Sequence, residues 1–222
     1  MSSATTIYFV RHGTTTLNLQ GKWQGRIDSE LAELGIDEAE REAAVLRERA
    51  SFDAAYTSPL RRARRTCEIL CEPHAGVVPV DAPALAEPSL GPLEGRHVDD
   101  ILAEHGEMMD RLADAPEAER LDTAYFPGLE TPNEVAARVR RFIEDDLVPR
   151  HAGQVVLLVT HSMVLQALLA VLKSIRYEDI SMRRLAWLEL SVSADGALTW
   201  GDSDGFRTRS VRASLEAAPP VK

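Results

Sequence analysis

Residues 155–160 read VVLLVT, an apolar run without alternation. A strand with one wet face alternates apolar and polar side chains. A continuous run instead marks a strand covered on both faces, the habit of parallel sheets sandwiched between helices. Strand-like stretches at residues 7–10, 52–57 and 77–80 are spaced by helical patterns at 37–50, 98–112, 132–147 and 162–173. Ser58 and Pro59 fit the cap and first position of a helix running to about Leu70. Residues 185–192 and 198–200 read as late strands joined at Asp195-Gly196. This alternation predicts an α/β fold with a largely parallel sheet, and no domain boundary interrupts it. The domain spans residues 1–213, and the tail 214–222 (SLEAAPPVK) is expected to be disordered. Residues 96–130 break the rhythm, which suits a cap-like insertion over one end of the sheet.

The chain has 222 residues, 45% of them hydrophobic, enough for one sizeable core. Its formal charge of −10 argues against nucleic acid or an anionic membrane as partner. A small anion is admissible only through a local cluster of positive charge. Cys67 and Cys71 do not make a disulfide framework, and as buried small side chains they need no metal. With no signal-like leader and no apolar run approaching 18 residues, the expected location is cytoplasmic. Oligomeric state, a homodimer included, is left open by the sequence.

In open α/β sheets ligands bind beyond the carboxyl ends of the strands. The first strand ends on Arg11-His12-Gly13, the second on Ser58-Pro59 and then LRRARR, and VVLLVT on His161. Arginine forks match phosphoryl oxygens, helix N-termini attract anions, and a neutral imidazole is a nucleophile. The pattern predicts a phosphate site.

The blocks FVRHGTTTLN, WQGRIDSELAELG, YTSPLRRARRTCEI, LAEPSLGPLEG and VTHS, in that order, resemble the histidine phosphatase superfamily, which contains cofactor-dependent phosphoglycerate mutase. The resemblance implies a phosphoglycerate mutase-like α/β fold, a single domain with a mixed, mostly parallel β-sheet flanked by helices on both faces, a site at the strand ends and no metal or organic cofactor. It implies His12 as phosphoryl acceptor, Arg11, Arg62 and His161 as ligands of the phosphoryl oxygens, and Glu87 as the acid for the leaving oxygen. Asn18, Gln24 and Gly25 would line the substrate site. On this reading His12 stays neutral while a protonated His161 stabilises the transition state. Thr14 stands where the family commonly has Glu or Gln, and Ser162 where it usually has Gly.

Other polar residues have plainer readings. His74, His97, His105 and His151 read as surface residues. Arg61, Arg64 and Arg65 read as a solvated helix face, with Leu60, Ala63, Cys67 and Leu70 making the core stripe. Cofactor-dependent mutases resemble one another in a longer, Arg- and Pro-rich segment that holds the substrate carboxylate. Here residues 97–127 are acidic and contain only Arg111 and Arg120. The reading is therefore a metal-independent phosphomonoester hydrolase of a small phosphorylated metabolite. The alternative is a mutase-type phosphotransferase, and behind it a non-catalytic phospho-ligand binder. Trp23, Tyr125 and Phe126 are candidates either for an apolar pocket wall or for core packing, and Glu130 is the next acid to consider after Glu87.

Overall fold

β1 (Thr5–Arg11) lies inside the sheet, and its parity explains the layers. Ile7 and Phe9 point into one hydrophobic cluster, Tyr8 and Val10 into another. β4 (Val155–Thr160) does the same, with Val156 and Leu158 on the first face and Leu157 and Val159 on the second. An unbroken apolar run is what such a strand requires. The computed structural model describes residues 4–126, 128–176, 179–193 and 195–208. The tail 214–222 falls outside them.

Among the described residues the sheet has six strands, ordered β3-β2-β4-β1-β5-β6. β2 (Ala54–Thr57) and β3 (Pro79–Asp81) join β4 and β1 in parallel. β5 (Ile180–Val192) and β6 (Leu198–Thr208) add the antiparallel edge. Against the first face pack α6 (Pro132–Arg141), through Val135 and Val139, and α8 (Ser162–Lys173), through Val164, Leu165 and Leu168. A capping box at Thr131 opens α6, and a π-helical segment, Phe142–Leu147, continues it into the short α7 (Val148–Arg150). Against the second face pack α2 (Glu33–Arg49), through Ala39, Ala43 and Leu46, and α3 (Arg61–Cys71), through Ala63, Cys67 and Leu70. Both cysteines are buried free thiols. Arg61, Arg64 and Arg65 pair with surface carboxylates, as a solvated face should.

Several boundaries move. α2 starts at Glu33 rather than at residue 37. Gly35 in its first turn weakens the helical signal, yet a Cβ there would collide with the Thr14 carbonyl. A Cβ on Gly13 would lie 2.8 Å from the Gly35 carbonyl oxygen, so the two glycines let the loop after β1 close on α2. α3 starts at Arg61, and Ser58 does not cap it. His74 is buried rather than on the surface: its Nδ1 accepts from the Phe52 N–H at 3.1 Å, and its ring stacks on Phe52 at 4.5 Å. β5 begins at Ile180, ahead of a register shift that includes Leu185 at φ 55°.

The insertion is helical. α1 (Thr16–Leu19) follows β1, while α4 (Val98–Ala113) and α5 (Glu117–Asp122) stand in the segment between β3 and α6. Ile101 of α4 packs with Leu90 and Leu93, and Trp23, Phe126, Leu129 and Met163 lean on that cluster. α4 thus sits over the carboxyl ends of the strands rather than on either face. No helix among the described residues is long and apolar enough to cross a membrane.

Candidate active site

Two ladder bonds run past the strand ends. His12 N–H donates to the Thr160 carbonyl, and Ser58 N–H to the Val159 carbonyl, each at 3.0 Å. His12 and His161 therefore meet, with ring centroids 5.0 Å apart and planes at 60°. The loop is tied down by Gly13 N–H, which donates to Thr66 Oγ1 in α3 at 3.1 Å. His12 Nδ1 lies 2.8 Å from the Gly13 carbonyl oxygen. A carbonyl can only accept, so Nδ1 carries the hydrogen and Nε2 bears the lone pair. Burial, then Arg62 and Arg11, holds His12 well below its usual pKa. The ring is a neutral imidazole with a defined nucleophilic nitrogen.

Arg11 and Arg62 are buried beside it. Arg11 Nη1 donates to the Met182 carbonyl at 2.7 Å. Burial, and then Arg184, pushes Arg11 down to about 9, which leaves it cationic at neutral pH. Arg62 reaches back from α3 to the carbonyls of Ile27 and Gly25, at 2.8 and 2.7 Å. His161 Nε2 is 2.7 Å from Ser58 Oγ. Burial first, then Arg62, His12 and Arg11, drives His161 well below its usual value. Among these protein groups alone the cationic form of His161 is disfavoured. A dianionic phosphoryl group beside it would supply the countercharge for a proton.

Glu87 sits in a pinned loop. Thr160 Oγ1 donates to the Leu85 carbonyl at 2.7 Å, and Arg138 Nη2 to the Ala86 carbonyl at 2.6 Å. Arg26 Nε donates to Glu87's own carbonyl at 3.2 Å. Burial raises the carboxyl's pKa, against the pull of Arg62 and Arg11. Glu87 Oε1 takes only a long contact, 3.5 Å, from Met163 N–H. Glu87 Oε2, Arg11 Nε, Arg62 Nε and His161 Nδ1 are buried with no hydrogen-bond partner among the described residues. Buried polar atoms are normally satisfied, so four such atoms gathered here are what a bound polar ligand would account for. Glu130 is engaged elsewhere, 2.7 Å from Arg138 Nε.

These groups floor a cavity of about 390 Å³, lined at this end by Arg11, His12, Gln24, Gly25, Arg62 and Glu87. Trp23, Tyr125 and Phe126 line its outer walls, with Ser162 near the mouth of α8. His161 and Asn18 are not in the lining. Asn18 forms the capping box of α1 with Thr15, and its Oδ1 accepts from Thr15 N–H at 3.2 Å. Thr14 is buried, and its Oγ1 donates to Glu38 Oε2 at 2.7 Å. At the N-terminus of α3, Asp28 Oδ1 takes the Arg61 N–H at 2.9 Å. No group of three His, Cys, Asp or Glu side chains among the described residues is arranged to hold a metal.

Sequence reasoning missed Arg184. Its Nε donates to Asn18 Oδ1 at 3.1 Å, and its charge bears on Arg11 and His12. With Oδ1 held from two sides, the Asn18 amide N–H₂ is left as donor. Replacing Arg184 with Gln is expected to raise KM for a phosphomonoester by about tenfold, the scale of one charge-assisted hydrogen bond. Steady-state kinetics check this, and kcat should fall less than KM rises.

The family described as histidine phosphatase superfamily (branch 1) matches residues 7–200. A 2,3-bisphosphoglycerate-dependent phosphoglycerate mutase from Methylorubrum populi is 35% identical over 184 residues, covering 81% of this chain and 84% of its own. Among solved structures, a mycobacterial glucosyl-3-phosphoglycerate phosphatase in complex with VO3 is 28% identical at TM-score 0.76, covering 91% of this chain and 99% of that one. A phosphoglycerate mutase from Bacillus anthracis shares the fold at TM-score 0.77 and 23% identity, covering 90% and 92%.

Proposed function

The chain belongs to the histidine phosphatase superfamily, branch 1, and from that premise we propose that it hydrolyses small phosphomonoesters through a phosphohistidine at His12. The observation that carries the reading is the His12 tautomer: Nδ1–H is bound to the Gly13 carbonyl, so Nε2 is free to attack. As the P–N bond forms, the ester P–O bond breaks, and Glu87 gives its proton to the departing oxygen. Arg11, Arg62 and His161 neutralise charge on the equatorial oxygens. Glu87, now a carboxylate, takes a proton from water as that water's oxygen attacks phosphorus. The P–N electron pair returns to Nε2, and inorganic phosphate leaves.

The relative from Methylorubrum populi favours a second reading, a mutase that returns the phosphoryl group to another hydroxyl. A phosphoglycerate mutase must hold a carboxylate as well as a phosphate. Among the described residues lining the cavity, the cations are Arg11 and Arg62, both at the phosphoryl end. Arg120 donates to the Ala115 carbonyl, and Arg111 is exposed on α4. That distribution supports hydrolysis. The test is a phosphate-release screen over a metabolite panel, with phosphoglycerate isomerisation assayed alongside. Release without isomerisation is expected; isomerisation outpacing release would assign the mutase instead. Release should survive EDTA, because Arg11, Arg62 and His161 perform the neutralisation that Mg²⁺ performs in kinases. Loss restored by a divalent ion would place the protein in another phosphatase class.

A further inference from the structure

We propose that the alcohol part of the substrate is apolar, an alkyl or aryl group, and carries no second negative charge. This rests on the phosphatase reading above and names the substrate class it takes. The cavity is charged at one end only, and its other polar lining groups (Gln24, Tyr125, Ser162 and Gln166) are uncharged. Beyond the phosphoryl floor the walls are Trp23, Leu90, Met109, Phe126, Leu129 and Met163. They come from the loop after β1, the turn before α4, α4 itself, the loop after α5 and the start of α8. Elements far apart in sequence converge here to present carbon rather than charge.

Several of these side chains are part of a packed unit. Trp23, Phe126, Leu129 and Met163 lean on the buried Leu90, Leu93 and Ile101. The wall is therefore held in shape by a satellite core instead of being a loose surface patch. His105 of α4 packs edge-on against Phe126, with centroids 4.9 Å apart. Gln24 and Gln166 are uncharged polar groups in the lining, and can bond a hydroxyl or a carbonyl but cannot neutralise a carboxylate.

The chemistry of exclusion is as definite as that of attraction. A carboxylate against these walls loses its hydration and gains no cation. Arg26, which follows the lining residue Gly25, is already engaged with the Glu87 carbonyl and faces Glu130 at 3.8 Å. An alkyl chain gains about fourfold in transfer equilibrium for each methylene it buries. Met109 and Met163 have flexible, polarisable side chains that adapt to different shapes, so the site should tolerate alkyl and aryl groups alike. A cavity of about 390 Å³ falls within the size range of small-molecule sites.

The experiment uses two ladders on the full-length protein. The first measures kcat/KM for phosphate release from propyl to hexyl phosphate, with 3-phosphoglycerate and phosphoserine as charged comparators. The expected slope is about threefold to fourfold per methylene until the cavity is filled. The charged esters should fall at least about 100-fold below hexyl phosphate. The second measures binding of the matching alkylphosphonates by calorimetry. Their P–C bond is not cleaved by this chemistry, so binding is read without turnover. Phe126→Ala and Met109→Ala should each flatten both ladders, with larger losses for hexyl than for propyl. If hydrolysis is normal but both ladders are flat, or the charged esters rival hexyl phosphate, the apolar proposal is overturned. If no ester releases phosphate while the phosphonate ladder keeps its slope, the hydrolase reading fails and the apolar wall stands.

Discussion

His12→Ala is expected to abolish turnover, with a loss on the order of 10⁴-fold or more, the scale seen when an activated nucleophile is removed. The loss follows from position. His12 Nε2 is the only atom of the ring left with a lone pair, since Nδ1 is bonded to Gly13. Labelled substrate, quenched without acid, should leave acid-labile label on the wild-type protein and none on the variant. Near-normal turnover in the variant would remove His12 from the mechanism. Folding gives a second readout. His12 and His161 are held neutral, well below their usual value, by burial and neighbouring arginines. Unfolded histidine titrates near pH ~6.5, so below that the unfolded chain binds more protons and stability falls with pH. His12→Ala removes one such group. Its thermal unfolding should lose less stability than wild type between about pH 7 and pH 5.

The strand ends were legible because their chemistry is local. Arg11, His12 and His161 each directly follow or end an apolar run, and a parallel sheet brings such ends together. Arg62 was legible from its block, and its neighbours from their spacing. What was not legible depended on long-range contact. Ser58 has the chemistry of a helix cap, and only the sheet register reveals that its hydroxyl serves His161 instead. Arg184 lies 166 residues from Asn18, on β5 just ahead of Leu185 at φ 55°, and nothing near it in sequence marks its direction. Arg138 reads as one more charge on a helix, yet it pins the loop that carries Glu87. His74 shows the same limit in the core, where a single backbone N–H made burial admissible. The protonation of His161 was not legible, because it depends on burial and on the summed field of Arg62, His12 and Arg11. The apolar wall was visible as residue types but not as a wall, since its members come from five separate segments.

Glu87→Gln separates the two steps assigned to this residue. Gln keeps the size and still hydrogen-bonds, but it cannot deliver a proton. An alkoxide leaves poorly without one, whereas p-nitrophenolate departs unaided. Phosphoenzyme formation from an alkyl phosphate should therefore slow by about 10²–10⁴-fold, the range for lost general acid catalysis. With p-nitrophenyl phosphate that step should slow far less. Phosphohistidine should then accumulate, because the same side chain no longer activates water. The pH dependence has a fixed sign. Burial raises the Glu87 pKa, so the acid form persists above the ordinary carboxyl range and is lost as pH rises through the folded value. The wild-type rate of phosphorylation by an alkyl phosphate should decline across that rise. The variant's slower rate should lack the decline. Rapid quench on both substrates, across pH, reads all of this. Equal slowing for both leaving groups would make Glu87 a binding or structural residue. Glu130 would not be a ready substitute, because Arg138 holds it as an ion pair and it does not line the cavity. The proton would then have to come from solvent or from the substrate itself.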